Sequence, residues 1–174
     1  MSLEVWAALI GLALIGPAVF VFNRLVAARN LARQAYADID VQLKLRADLV
    51  PPLVEAVKGY AAYEKALLGA VVDARAQALA APSATPGAER FGRERSLGEG
   101  LKQLVALAEA YPNLKADASF RDLSARLVKI EDQLQYARRF YNGAVKEYVT
   151  RIESFPELLV ARALGFRPMP FFEL

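Results

Sequence analysis

Residues 120–155, "FRDLSARLVKIEDQLQYARRFYNGAVKEYVTRIESF", carry the reading on which the fold turns. Phe120, Leu123, Leu127, Ile130, Leu134, Ala137, Tyr141, Val145, Tyr148, Ile152 and Phe155 recur at steps of three and four. An α-helix turns once in about 3.6 residues, so these side chains form one apolar stripe. One repeated step of four, Tyr141 to Val145, is a single stutter. The charged residues between them fall on the other faces. A helix of this kind cannot bury its stripe alone and needs helical partners.

Three further periodic segments supply those partners. Leu25, Ala32, Tyr36, Ile39 and Leu43 mark a helix over about Arg24–Ala47. A second is expected over about Pro51–Ala80 and a third over about Ser96–Tyr111. Pro51 and Pro52 have no N–H to donate, which predicts a new helix start there with Asp48 as its cap. Ala81–Arg95, rich in Pro, Gly and small polar residues, reads as a connector. Pro112 and Asn113 read as a turn, and Asp117 or Ser119 as a cap. Strand alternation is absent. The expectation is an all-α chain: an N-terminal single transmembrane helix followed by an antiparallel up-and-down four-helix bundle.

The transmembrane expectation rests on Val5–Asn23, "VWAALIGLALIGPAVFVFN", which holds no charge. About twenty apolar residues span a hydrocarbon core. Trp6 at one end suits an interface, and Arg24, Arg29 and Arg33 follow the run, so the positive-inside rule predicts a cytoplasmic bundle in a cell membrane. The expected organisation is an anchor over 1–23, the bundle over 24–155, and an apolar tail over 156–174 that packs on the bundle or lies near the membrane. In an up-and-down order, the Ala81–Arg95 connector and the tail would face lipid. That places Trp6, Arg24, Arg90, Arg93, Arg95, Phe171 and Phe172 at the membrane side. The turns at Asp48–Pro52 and Pro112–Asp117 would then sit at the far end.

Composition narrows the chemistry. The chain of 174 residues has no Cys and no His, a net charge of +3 and 24% charged residues. Thiolate metal sites, imidazole ligands and the commonest general base are missing. The modest charge does not call for nucleic acid. No catalytic residue, cofactor or metal is expected.

The polar candidates are structural or partner-facing. Asp38, Asp40, Lys44, Arg46 and Asp48 alternate in sign along one helix. The plain reading is a solvated, ion-paired face; the alternative is a partner surface or a buried polar network. Glu64 falls on the second apolar stripe between Tyr60 and Leu67, where a carboxylate needs a partner, and Arg29 is the expected one. Asn113 and Asp117 mark the distal turn. Asn23, Asn30 and Ala37 share a line off the apolar stripe, suited to a second copy.

Together "FNRLVAARN", "DIDVQLKLRADLVPPLVEAVKGYAAYE", "AYPNLKADASF", "ARRFYNGAVKEYVTRIESFP" and "ALGFRPMPFFE" resemble the LemA family, from Phe22 to Glu173. Leu45, Pro52 and Tyr63 depart from the family pattern, which favours a basic residue, Asn and His there. The resemblance implies a four-helix bundle behind a membrane anchor and brings no catalytic activity or cofactor. The expected function is a membrane-anchored, non-catalytic scaffold or interaction protein that self-associates. The alternative is an accessory or regulatory subunit of a membrane enzyme or signalling protein. Expected partners are the lipid bilayer, further copies of the chain, and a membrane protein.

Overall fold

In a computed structural model, the structure describes residues 3–61, 64–80 and 86–172, with side chains from residue 15 onward. Among the described residues, the regular secondary structure is all helical. Helix α1 spans Leu3–Lys58, α2 Lys65–Ala80, α3 Ala88–Leu107, α4 Pro112–Ala116, α5 Ala118–Glu153 and α6 Glu157–Ala163.

The expected membrane-spanning helix is corrected. Among the described residues, no helix is long and apolar enough to cross a membrane. Arg24, Arg29 and Arg33 keep the apolar run from extending further along α1. The side chain of Trp6 lies outside the described residues.

The first expected helix break is also corrected. The chain does not turn at Asp48–Pro52; α1 runs through Pro51 and Pro52 to Lys58. Pro51 removes the N–H that would bond the Ala47 carbonyl one turn earlier. Arg75 of α2 replaces it, its Nε donating to the Ala47 oxygen at 2.8 Å. Both proline rings are exposed, so neither disturbs the packed face. That face continues across them as Ala47, Val50, Leu53, Val54 and Val57, all buried. The turn begins after Lys58, where Tyr60 and Ala61 N–H groups close on the Val57 carbonyl.

The chain forms two compact units: Met1–Ala35 with Phe140–Phe171, and Tyr36–Arg139 with Phe172–Leu174. Four helical segments build the second: the C-terminal part of α1, then α2, α3, and the N-terminal part of α5. Cross-helix pairs fix their directions. Ala47 meets Arg75, Gln77 meets Arg93, and Arg46 meets both Glu94 and Glu131. At one end Tyr60 meets Asp117. Successive helices therefore alternate in direction.

Its core gathers Val50, Leu53, Val57, Val71, Leu97, Leu101, Leu104 and Leu114, each fully buried. Burying a Leu side chain contributes about 1.5–3 kcal/mol against leaving it in water. Leu127 and Leu134 on α5 are 5% and 1% exposed, so the α5 stripe faces inward.

The other unit packs α6 and the tail on α1 and α5. Leu25, Ala28, Tyr148, Ile152 and Ala161 form its core, with Phe166 and Met169 against them. Tyr141 and Tyr148 hydroxyls donate to the Pro170 and Arg167 carbonyls at 2.7 and 2.9 Å. These two bonds satisfy tail carbonyls that have no helical partner. Phe155, the last member of the α5 stripe, is instead 79% exposed beyond the helix end.

Candidate functional site

The expected connector over Ala81–Arg95 is corrected in its second half, because α3 already begins at Ala88. This matters for the charged residues. Arg90 is buried, ion-paired to Asp40 of α1, and its guanidinium lies over the Tyr36 ring at 5.6 Å. Arg93 donates to the Gln77 carbonyl at 3.2 Å, and Arg95 is exposed. The helical phase of α3 turns Arg90 inward, where Asp40 compensates its charge.

One turn along, Arg46 enters the core. It is 1% exposed, and its Nη2 donates to the Glu94 carboxylate at 2.7 Å and to the Glu94 carbonyl at 2.8 Å. Nη1 donates to Glu131 at 3.1 Å. Gly98 makes room for this: a Cβ there would lie 3.1 Å from Nη1. A buried charge is tolerated when it is paired and hydrogen-bonded, and three acceptors on two helices do this for Arg46. Arg138 sits over the Phe172 ring at 5.1 Å. Burial, then the positive charge of Arg46, lowers its pKa below the usual arginine range.

Phe172 is buried, 1% exposed, with its ring 4.1 Å from that of Phe91. Neighbouring Phe171 stays exposed.

The turn end collects two of the remaining candidates. Asp117 caps α5, accepting from the Phe120 N–H at 2.8 Å, as an N-cap carboxylate should. It also accepts from the Tyr60 hydroxyl at 3.1 Å. These bonds, the cap first, hold its carboxyl below the ordinary aspartate range. Glu64 accepts from Tyr111 at 3.2 Å; the expected partner Arg29 instead lies over the Phe166 ring at 4.9 Å. Two tyrosine–carboxylate pairs thus tie the α1–α2 turn to the α3–α5 connection. Asn113, Asp38 and Asp48 are exposed, and Tyr63 lies outside the described residues.

Sequence reasoning missed Glu94 and Glu131 as partners of Arg46. The available signal for Glu131 was its position between Leu127 and Leu134 on α5; Glu94 fell in the expected connector, which offered none. Among the described residues, no grouping of three or more His, Cys, Asp or Glu could hold a metal. Asp40, Glu94 and Glu131 are each engaged by an arginine, and Glu64 and Asp117 by a tyrosine.

A family model described as the LemA family matches residues 35–174. The chain is similar to Magnetosome protein MamQ 2 of Paramagnetospirillum magneticum, 22% identical, over 87% of this chain and 64% of that protein. It is similar to Magnetosome protein MamQ of Magnetospirillum gryphiswaldense, 21% identical, with the same coverage of 87% and 64%. The chain therefore spans 64% of the length of these curated relatives. With the family model matching most of its length from α1 to the tail, the chain belongs to the LemA family.

Proposed function

We propose that the protein is a membrane-associated, non-catalytic helical scaffold that self-associates at a lipid surface. The observation that carries this reading is the exposed apolar row on α1. Ile15, Val19, Phe20 and Phe22 are 61%, 51%, 63% and 39% exposed. A contiguous exposed apolar patch marks an interaction surface. Arg24 follows it directly, and its guanidinium lies 5.8 Å from the Phe20 ring centroid. An aromatic row ending in a basic residue suits the boundary between acyl chains and headgroups. The basic flank favours the anionic cytoplasmic leaflet. The likeness to proteins named for the magnetosome is in keeping with this reading. Asn23, Asn30 and Ala37, all exposed on one line of α1, are the surface for a second copy.

Co-flotation of the full chain with lipid vesicles tests the membrane part. Protein that stays at the bottom of the gradient would overturn it. Mass measurement in mild detergent and in nanodiscs tests self-association, and a monomer in both would remove it.

A second reading, an accessory subunit of a membrane enzyme or signalling protein, is favoured by one groove. Val54, Leu68, Gly69 and Val72 line it between Lys58, Lys65 and Asp73, with a volume of about 470 Å³. A stable hetero-complex recovered in mild detergent would favour this reading over self-assembly.

A further inference from the structure

We propose that the depression around Arg24, Lys146 and Arg151 holds the phosphate of an anionic phospholipid headgroup. This rests on the membrane-associated reading above and names its lipid chemistry. The depression has a volume of about 400 Å³, and Thr150, Ser154 and Glu157 also line it. That is within the size range of small-ligand sites.

Its charges are held but not satisfied. Glu157 is buried and stands 3.5 Å from Nη1 of both Arg24 and Arg151. Charge-assisted hydrogen bonds are about 2.7–2.9 Å long, so both contacts are ion pairs without a tight bond. Arg151 is committed more firmly to Glu147, at 2.7 Å. The side chain of Arg24 is 49% exposed. Arg24, Lys146 and Arg151 face two carboxylates, Glu147 and Glu157, which leaves one positive charge over. A phosphodiester would accept from the Arg24 and Lys146 cations and from the Thr150 and Ser154 hydroxyls. Glu157 would keep the guanidiniums positioned rather than neutralise them fully.

The surroundings select a lipid over free phosphate. Phe20, Arg24, Ala27 and Leu31 are spaced four, three and four apart, so they share one face of α1. Phe20 and Leu31 on it are exposed. A second depression of about 220 Å³ shares Arg24, Glu147 and Arg151 and runs along Ala27, Ala28 and Leu31. The polar pocket thus opens beside an apolar strip. Inorganic phosphate has no use for that strip, whereas a diester bearing acyl chains uses both.

The test is co-flotation of the full chain with phosphatidylcholine vesicles, alone or doped with phosphatidylglycerol. The wild type should prefer the doped vesicles. Lys146→Gln and Arg24→Gln should each reduce that preference about fivefold, at roughly one basic side chain's attraction to an anionic surface. Binding to neutral vesicles should stay unchanged. Lys146 is exposed, so its variant should fold even where Arg24→Gln does not, and circular dichroism checks both. Equal flotation with both vesicle types, unaffected by the variants, would overturn the headgroup site and leave membrane association standing. Flotation with neither would overturn both. Inorganic phosphate alone, titrated by phosphorus NMR, should bind weakly. Saturable phosphate binding with no vesicle preference would assign the pocket to a free anion and overturn the lipid.

Discussion

The Nε of Arg75 donates at 2.8 Å to the carbonyl of Ala47, the carbonyl that Pro51 leaves without its helical donor. One side chain from α2 thereby lets α1 pass through two prolines. A hydrogen bond from a charged donor contributes about 1.5–3 kcal/mol. Arg75→Met should lose about that much stability in urea unfolding. Pro51→Ala restores the missing N–H, so Arg75→Met in that background should cost clearly less. Additive effects in the double-mutant cycle would show that Arg75 does not compensate for Pro51.

The buried Arg46 gives a sharper contrast. Removing one partner of a buried pair costs about 3–5 kcal/mol, because the other charge stays uncompensated. Arg46→Met alone should therefore destabilise strongly, leaving Glu94 at 3% exposure with no cation. Combining it with Glu94→Leu should recover most of the loss. Gly98→Ala should destabilise as well, since its Cβ would crowd Nη1 at 3.1 Å. That cost should shrink in the Arg46→Met background, where the side chain is shorter and ends in an uncharged methyl group. Thermal unfolding of these variants, singly and combined, reads all of this.

These two cases show which parts of the fold a sequence can display. The stripe through Leu127 and Leu134 is legible because every third or fourth residue is apolar and no break interrupts it. Pro51–Pro52 misleads because the residue that rescues the helix lies in another helix, 28 positions from the Ala47 carbonyl it bonds. Glu94 and Arg90 hide in a Gly-, Pro- and charge-rich stretch whose helical phase only tertiary packing reveals. Arg46 reads as one more charge on a mixed face until Glu94 and Glu131, from two other helices, surround it. Glu64 and Asp117 are identifiable singly, but their tyrosine partners depend on which turn meets which.

Core and surface positions on α5 should separate cleanly. Leu127→Ala and Leu134→Ala should each cost about 2–5 kcal/mol, as expected for a buried Leu. Val128→Ala, at 59% exposure, should fall within about 0.5 kcal/mol of the wild type. Chemical denaturation measures the three side by side. Equal effects would contradict the inward phase of the stripe.

Asp117 sets an acid dependence with a definite sign. Its folded carboxyl ionises below the ordinary aspartate range because the Phe120 N–H and Tyr60 hydroxyl favour the charged form. The folded state therefore binds fewer protons than the unfolded state. Stability from this group is fully present above about pH 3.9, the unfolded aspartate value. It is lost as pH falls through the lower folded value. Asp117→Asn keeps a good cap but not the charge. The stability difference between wild type and variant should narrow as pH drops from about 5 toward 2. A constant difference across that window would remove the carboxylate's role.

The tail separates two neighbouring phenylalanines. Phe172 is 1% exposed, packed 4.1 Å from Phe91 and beneath the Arg138 guanidinium at 5.1 Å. Phe171, one residue earlier, is 42% exposed. Truncating a fully buried Phe to Ala costs about 3–5 kcal/mol, and here it would also expose the Arg138 site to water. Phe172→Ala should therefore lower stability by about that amount. Phe171→Ala should leave stability nearly unchanged. Phe172→Leu should recover part of the loss, because it restores apolar volume without the ring face that receives Arg138. Urea titrations of the three variants decide the matter. Should Phe172→Ala prove as mild as Phe171→Ala, the ring is not a core element, and its place against Phe91 and Arg138 is wrong.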